Sequence, residues 1–181
     1  VTGSSVDSVD LALRFEEDAV SSTQHLRCTA RGIEATAYVD LSAARGRGTF
    51  RAQTKNATGI YLPHDLHVGS EWSQSFDIVI RQVSGGDKVM GAIEGTDSVR
   101  RKALAEESVT VPAGTYSALK VETHTSIDLG RLAGLPDASG ALGDIVTIEW
   151  WVRDVGLIKT AVTMGEGTAA ATAEAVQITL P

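Results

Sequence analysis

The side chains of this chain that could bind a metal do not form a recognisable ligand set. His64, Asp65 and His67 are the only closely spaced candidates, and His25 and His124 lie far from them in sequence. A zinc site needs three or four converging ligands. We therefore expect no metal site, and we interpret the 64–67 segment as a solvent-exposed turn.

Groups suited to catalysis are equally sparse. Cys28 is the single cysteine, which excludes an internal disulfide. It shares the strand phase of Leu26 and Ala30, so we expect a buried thiol, with His25 on the opposite strand face. No serine stands in a Gly-x-Ser-x-Gly elbow, and acid pairs such as 106–107 are adjacent along the chain rather than paired across a cleft. We expect no catalytic residue, no cofactor and no enzymatic activity.

Composition and charge narrow the class of protein. The 181 residues are expected to form one domain over 1–181. Only 5% of residues are aromatic and 18 are glycine, which suits closely spaced strands better than a helical bundle. The net charge of −7 argues against nucleic acid as a partner, because phosphate binding needs clustered cations. No apolar run approaches the length of a membrane-spanning helix.

The apolar pattern predicts strands. Apolar and polar residues alternate over 9–16, 33–42, 72–81 and 120–129. One apolar and one polar face is typical of an antiparallel sheet that covers a core. Turn-forming residues at 44–48, 84–87, 112–114 and 154–156 separate the strands. The segment 98–107 fits a helix or a strand equally well. We expect a mainly β, single-domain fold with a curved antiparallel sheet, a half-barrel or open barrel.

Two sets of residues follow from this register. The first should be largely buried, since each member lies in the apolar phase of its strand: Trp72, Phe76, Ile78, Ile80, Val121, Ile127, Ile148, Trp150 and Val152. The second consists of candidate contacts to a ligand or partner. Leu132, Leu135 and Leu142 lie in a glycine-rich segment, 130–143, expected as a loop or short helix at the mouth of the sheet, and Trp151 points away from the core side of its strand.

Three motifs resemble a broad group of exported bacterial β-proteins and lipoproteins. They are a Leu-Pro, Gly and Trp start over 61–72, a Val-Pro-Ala-Gly hairpin over 111–114, and Trp-x-x-x-x-Val-Gly-Leu-Ile-Lys over 150–159. That group is similar in architecture to the LolA/LolB-like lipoprotein carriers, whose curved sheet holds an acyl chain. Unlike a lipoprotein, this chain does not begin with cysteine.

The resemblance implies two functions. The first is an exported binding domain, periplasmic, cell-surface or extracellular, that holds a lipid or other apolar ligand against its concave face. The second is a structural or assembly subunit of a cell-envelope complex, docking a protein partner near Trp151. The small polar lead-in 1–8 is what we expect just after a removed signal or anchor region.

Overall fold

The described part of the chain is almost entirely β-strand. The computed structural model describes residues 8–15, 20–38, 40–45, 48–84, 88–129, 145–164 and 169–178. Twelve strands occupy these ranges: β1 (Ser8–Phe15), β2 (Val20–Thr29), β3 (Gly32–Ala35), β4 (Asp40–Arg45), β5 (Gly48–Gly59), β6 (Leu62–Pro63), β7 (Glu71–Ser84), β8 (Lys88–Val111), β9 (Gly114–Leu129), β10 (Ile145–Val152), β11 (Gly156–Met164) and β12 (Ala169–Glu174). No helix occurs among the described residues. The predicted mainly β class is confirmed.

Most strands that are consecutive in the sequence are also neighbours in the sheet. The hydrogen-bonded order is β12-β11-β10-β9-β8-β7-β5-β4-β2-β3-β6, with β1 pairing only with β2. Pairs such as β5–β7 and β9–β10 are antiparallel, as the alternating pattern predicts. The order has two ends, so the sheet is open. Within the described ranges, no helix is long and apolar enough to cross a membrane.

The chain divides into two compact units. Unit 1 comprises Val1–His64, Gln74–Ser98 and Ile127–Ala141, and unit 2 comprises Asp65–Ser73, Val99–Ser126 and Leu142–Pro181. Three long strands, β7, β8 and β9, contribute residues to both units. One domain over 1–181 stays a prediction.

In unit 1 the core lies on β7. Phe76, Ile78 and Val79 are buried, and the Tyr38 ring meets Phe76 edge to face at 5.7 Å between centroids. β5 pairs with β7 from Thr49 onward, with a register shift at Lys55, which has no partner on β7. Such a bulge increases the local twist and re-aims the neighbouring side chains.

In unit 2 the core is a cluster of small apolar side chains. Val109, Val111, Ala118 and Ile158 are buried together, with Trp150 and other half-buried residues packed on them. The predicted turn at 112–114 is confirmed, since β8 ends at Val111 and β9 begins at Gly114. The turn predicted at 154–156 is confirmed likewise, because β10 ends at Val152 and β11 begins at Gly156.

The predicted core is confirmed in part. Phe76, Ile78 and Val121 are at most 3% exposed. The other six predicted core residues are only half-buried: Trp72, Ile80, Ile127, Ile148, Trp150 and Val152. Every residue of β10 is half-buried, so neither face of that strand is fully covered. The predicted core face of β10, which includes Ile148, Trp150 and Val152, is thus only partly covered, and the opposite face, whose coverage the sequence left open, is half-buried as well.

Two strand predictions need correction or resolution. The segment 33–42, expected as one strand, breaks into β3 and β4, because the Tyr38 N–H leaves the sheet ladder and donates to Thr54 Oγ1 at 2.7 Å. The ambiguous segment 98–107 is a strand within β8. Its buried positions alternate in period two as Val99, Arg101 and Ala103. The inward-facing Arg101 concealed this alternation in the sequence. The segment 130–143 lies outside the described residues.

Candidate functional site

The histidine-rich turn is held by local hydrogen bonds. His67 Nδ1 lies 2.9 Å from the carbonyl oxygen of Asp65 and 3.2 Å from Ser70 Oγ. The Ser70 side chain also accepts a hydrogen bond from the His67 backbone N–H at 3.1 Å. Across the described residues, no group of three or more His, Cys, Asp or Glu side chains could hold a metal ion. These contacts give the turn a structural role.

The expectation that the Cys28 thiol is buried was wrong. Its thiol is exposed, not buried. The strand phase was right in one respect, since Leu26 on the same face is half-buried. Cys28 pairs with Ile33 near the end of the short β2–β3 ladder, where burial declines toward the exposed turn at Ala30. Alternation therefore identified the face of β2 but not how far along the strand that face is covered.

Of the four predicted contact residues, only Trp151 is described. Its indole is half-buried, and Nε1 donates to Glu149 Oε2 at 3.0 Å. The same carboxylate oxygen lies 4.0 Å from Arg101 Nε, and both charged side chains are largely buried. Trp151 thus donates a hydrogen bond to one member of a largely buried ion pair in unit 2. Leu132, Leu135 and Leu142 lie outside the described residues.

The neighbouring Trp150 is enclosed by charges. Its Nε1 donates to Glu107 Oε1 at 2.6 Å. The ammonium groups of Lys120 and Lys159 lie 5.8 and 5.4 Å from the ring centroid, within reach of a cation–π interaction. Lys159 also forms an ion pair with Glu174 at 2.7 Å. These contacts surround the half-buried ring of Trp150 with charged side chains at the side of the unit 2 core.

Among the residues that the structure describes, a polar cleft in unit 1 is the best candidate for a binding site. It lies between β3 and β5 and has a volume of about 460 Å³. Residues 34–37 form one wall, residues 54–57 and Gly59 form the other, and Arg27 of β2 contributes its side chain. We call it the β3–β5 cleft. Its size falls in the range of pockets that hold small ligands.

Strand pairing explains why this cleft exists. β4 separates β2 from β5, but it pairs with β5 only over Gly48–Arg51 and with β2 only over Ser21–Thr23. Beyond those residues no ladder joins β3 to β5 among the described strands. Residues 34–37 and 54–59 therefore face one another with strand edges that no other described strand pairs with, and such edges carry backbone donors and acceptors.

Both ends of the β3–β5 cleft are closed by hydrogen bonds. At one end the Tyr38 N–H donates to Thr54 Oγ1 at 2.7 Å. At the other end the chain leaves β5 and the Tyr61 N–H donates to the Ile33 carbonyl at 2.8 Å. A site closed at both ends suits a compact ligand better than an extended chain.

Most charged groups of the cleft already have partners. The Glu34 carboxylate receives a hydrogen bond from Arg31 at 2.6 Å and lies 3.4 Å from Thr29 Oγ1. The Lys55 ammonium pairs with Glu94. Arg27 lies directly opposite Glu34 in the ladder, yet no hydrogen bond or ion pair joins its exposed guanidinium to another described residue. Among the described residues that line the cleft, Arg27 is thus the one cation without a partner.

Tyr38, at the closed end of the cleft, stays uncharged near neutral pH. Burial raises the pKa of its phenol, and the nearby Asp97 carboxylate raises that pKa further. Both causes disfavour the phenolate. Tyr38 therefore contributes its backbone N–H and an uncharged ring, and it is not a candidate base.

Sequence reasoning did not identify this cleft. Arg27 was not among the contact residues predicted from the sequence. The residues of the two walls are about twenty positions apart and belong to separate strands, so no motif spacing marks them. The break after Ala35, which leaves a strand edge open, could not be recognised either, because the alternating pattern continues through 33–42.

Comparison with known proteins gives a family. No curated protein and no solved structure matches the chain significantly. A family model described as DUF3108-like matches residues 51–163, more than half of the chain. The match includes the β5 wall of the cleft and ends before β12, while Arg27 and residues 34–37 precede it. The three motifs over 61–72, 111–114 and 150–159 all fall inside this span. The chain belongs to the DUF3108-like family.

Proposed function

We propose that this protein is a non-catalytic binding domain that holds a small ligand in the β3–β5 cleft. The observation that carries the proposal is a ligand-sized, mostly polar cleft closed at both ends, with backbone edges and the Arg27 guanidinium available to a ligand. Specificity in small-molecule sites comes from a few placed polar groups of this kind.

The proposal includes an exported location, periplasmic, cell-surface or extracellular. Its support is the likeness of the three motifs to exported β-proteins. Fractionation of the native cells should recover the protein outside the cytoplasm, and recovery in the cytoplasmic fraction would contradict this part.

The test compares ligand retention with the cleft open and filled. Asn56→Trp places a large side chain at an exposed position of the cleft wall, and Ser117→Trp makes the same change at an exposed position of β9 outside it. Native mass spectrometry of protein purified from its own cells should show a bound small-molecule mass on the original protein and on Ser117→Trp but not on Asn56→Trp. Melting curves check that both variants fold.

Two results contradict the proposal. One is a bound mass that Asn56→Trp retains, which places the ligand elsewhere. The other is the absence of any bound mass on the original protein. A bound protein chain that is lost from Asn56→Trp would instead favour the assembly function.

A second candidate site is carried by the three leucines of 130–143. Leucines in a Gly- and Pro-punctuated segment gain about 1.5–3 kcal/mol each if burial is available, so a lipid or other apolar ligand would suit them. Leu132→Ser with Leu135→Ser should abolish uptake of a fluorescent fatty acid and leave the melting temperature unchanged. A sharp fall in melting temperature with no change in uptake would show that the leucines only fill a core.

A further inference from the structure

We infer that the ligand of the β3–β5 cleft is a compact, hydroxyl-bearing oxyanion, with a carboxylate or phosphate group bound by Arg27. This inference rests on the proposed binding function and adds the chemistry of the ligand. Two independent observations carry it: the charge state of the cleft, and its dimensions and lining.

The charges of the cleft leave a site for one anionic group. Glu34 is paired with Arg31 at 2.6 Å, and Lys55 is paired with Glu94. Arg27 has no such partner among the described residues, although it lies across the ladder from Glu34. A guanidinium binds carboxylate and phosphate groups through two parallel hydrogen bonds.

The remaining lining suits hydroxyl groups. The Thr54 hydroxyl accepts from the Tyr38 N–H and keeps its own proton to donate. The Thr36 hydroxyl donates to the His25 carbonyl at 3.2 Å and keeps lone pairs to accept. Backbone groups on the unshared edges add both donors and acceptors. A molecule with several hydroxyls satisfies such a mixed set, whereas a hydrocarbon chain would leave these groups without partners.

The direction of the β3 backbone adds the Ala35 amide to the groups that a ligand in the cleft could bind. Thr36 N donates to the His25 carbonyl on the β2 side, while the Ile33 carbonyl accepts from Tyr61 N on the other side. Because successive residues of an antiparallel strand direct their backbone groups to opposite edges, the Ala35 N–H and carbonyl point to the edge that β5 does not fill. The small side chains of Ala35, Ala37 and Ala57 leave room for a ligand to reach them.

The experiment is an NMR titration of isotope-labelled protein with three probes: sodium glucuronate, sodium glycerophosphate and neutral glucose, with sodium chloride matching the ionic strength. At least one anion should shift the amide signals of Ala35, Ala37 and Ala57 in a saturable way, and glucose should bind at least about tenfold more weakly. The tighter of the two anions identifies the carboxylate or the phosphate as the bound group.

Arg27→Gln should weaken the binding of the tighter-binding anion by about tenfold or more, because a hydrogen bond to a charged group contributes about that much to the binding affinity. It should leave glucose binding unchanged. Arg100→Gln removes an exposed guanidinium from β8 outside the cleft and should change the binding of neither probe.

Equal binding of the anions and glucose would overturn the inference, and so would an Arg27→Gln variant that binds the anions as the original protein does. The absence of any saturable shift at a probe concentration of about 50 mM would also overturn it, because even very weak specific binding would be seen there. If the probes fail but Asn56→Trp still removes a natural ligand, the anion inference alone falls. If Asn56→Trp removes nothing either, the proposed function falls with it.

Discussion

At the scale of single residues, side chains that look like functional candidates in the sequence are used for structure. Trp150 was predicted as core and Trp151 as a contact residue, yet both are half-buried, and both donate their indole N–H to glutamates. A half-exposed indole needs a partner for its N–H, and the glutamates supply it. The alternating pattern correctly placed the two rings on opposite faces, but it could not show that charged side chains cover each of them.

Trp150 is expected to be the residue of unit 2 whose truncation costs most. It packs on the cluster of Val109, Val111, Ala118 and Ile158. Trp150→Ala should lower the free energy of unfolding by about 3 kcal/mol, the lower end for such changes because the ring is only half-buried. Trp150→Phe keeps most of the packing and removes the bond to Glu107, so it should lose about 1–2 kcal/mol. Urea denaturation measures both. Equal losses for the two variants would show that the ring itself contributes little.

A surface ion pair gives a pH-dependent prediction. The hydrogen bond from Lys102 to Glu71, 2.6 Å long, and the Lys102 charge lower the pKa of Glu71. Because the pKa of Glu71 is lower in the folded state than in the unfolded state, the stabilisation from this pair is fully present above the unfolded-state pKa. It is lost as the pH falls through the folded-state pKa. Lys102→Met should raise the Glu71 pKa in a carbon NMR titration, and Arg100→Met should not. A Glu71 pKa unmoved by Lys102→Met would contradict the contact.

At the scale of elements, the alternating pattern predicts most strands, but long-range contacts determine where some of them begin and end. Alternation predicted the strands around 9–16, 72–81 and 120–129 because one apolar face alternates with one polar face there. It failed at β8, where Arg101 occupies a buried position and is compensated by Glu149 at 4.0 Å, a contact between distant parts of the chain. It also joined β3 to β4, since the break depends on a hydrogen bond from Tyr38 to a residue sixteen positions away.

The β3–β6 pair depends on a glycine. Gly32 has φ +134°, and a Cβ there would lie 2.2 Å from the Leu62 carbonyl oxygen, so both the backbone conformation and the space exclude a side chain. Gly32→Ala should therefore cost more than about 2 kcal/mol, with the β3 end of the cleft disrupted. Gly69, with φ +90° and open space around its Cβ position, is the control, and Gly69→Ala should cost about 1 kcal/mol from strain alone. Similar losses in thermal unfolding would mean that the close approach of β6 is not maintained.

At the scale of the whole molecule, the sequence predicted the class of fold and not the site. The turns, the glycine content and the alternating strands are local features, so the order of the amino acids is enough to recognise them. The β3–β5 cleft is not local, because it arises where β4 is too short to bridge β2 and β5 along their full lengths. The net charge of −7 predicts no binding to DNA at moderate salt, and a salt-sensitive gel shift at micromolar protein would contradict it.

The central claim is that the β3 edge beside the cleft is unshared, and amide hydrogen exchange tests it most directly. Thr36 N–H is bonded to the His25 carbonyl at 2.9 Å, whereas Ala35 N–H points to the open edge. In the ligand-free protein the Ala35 amide should exchange at least about tenfold faster than the Thr36 amide, a difference of about 1.4 kcal/mol in protection. Equal protection of the two amides would mean that another strand fills the cleft, and would contradict the account.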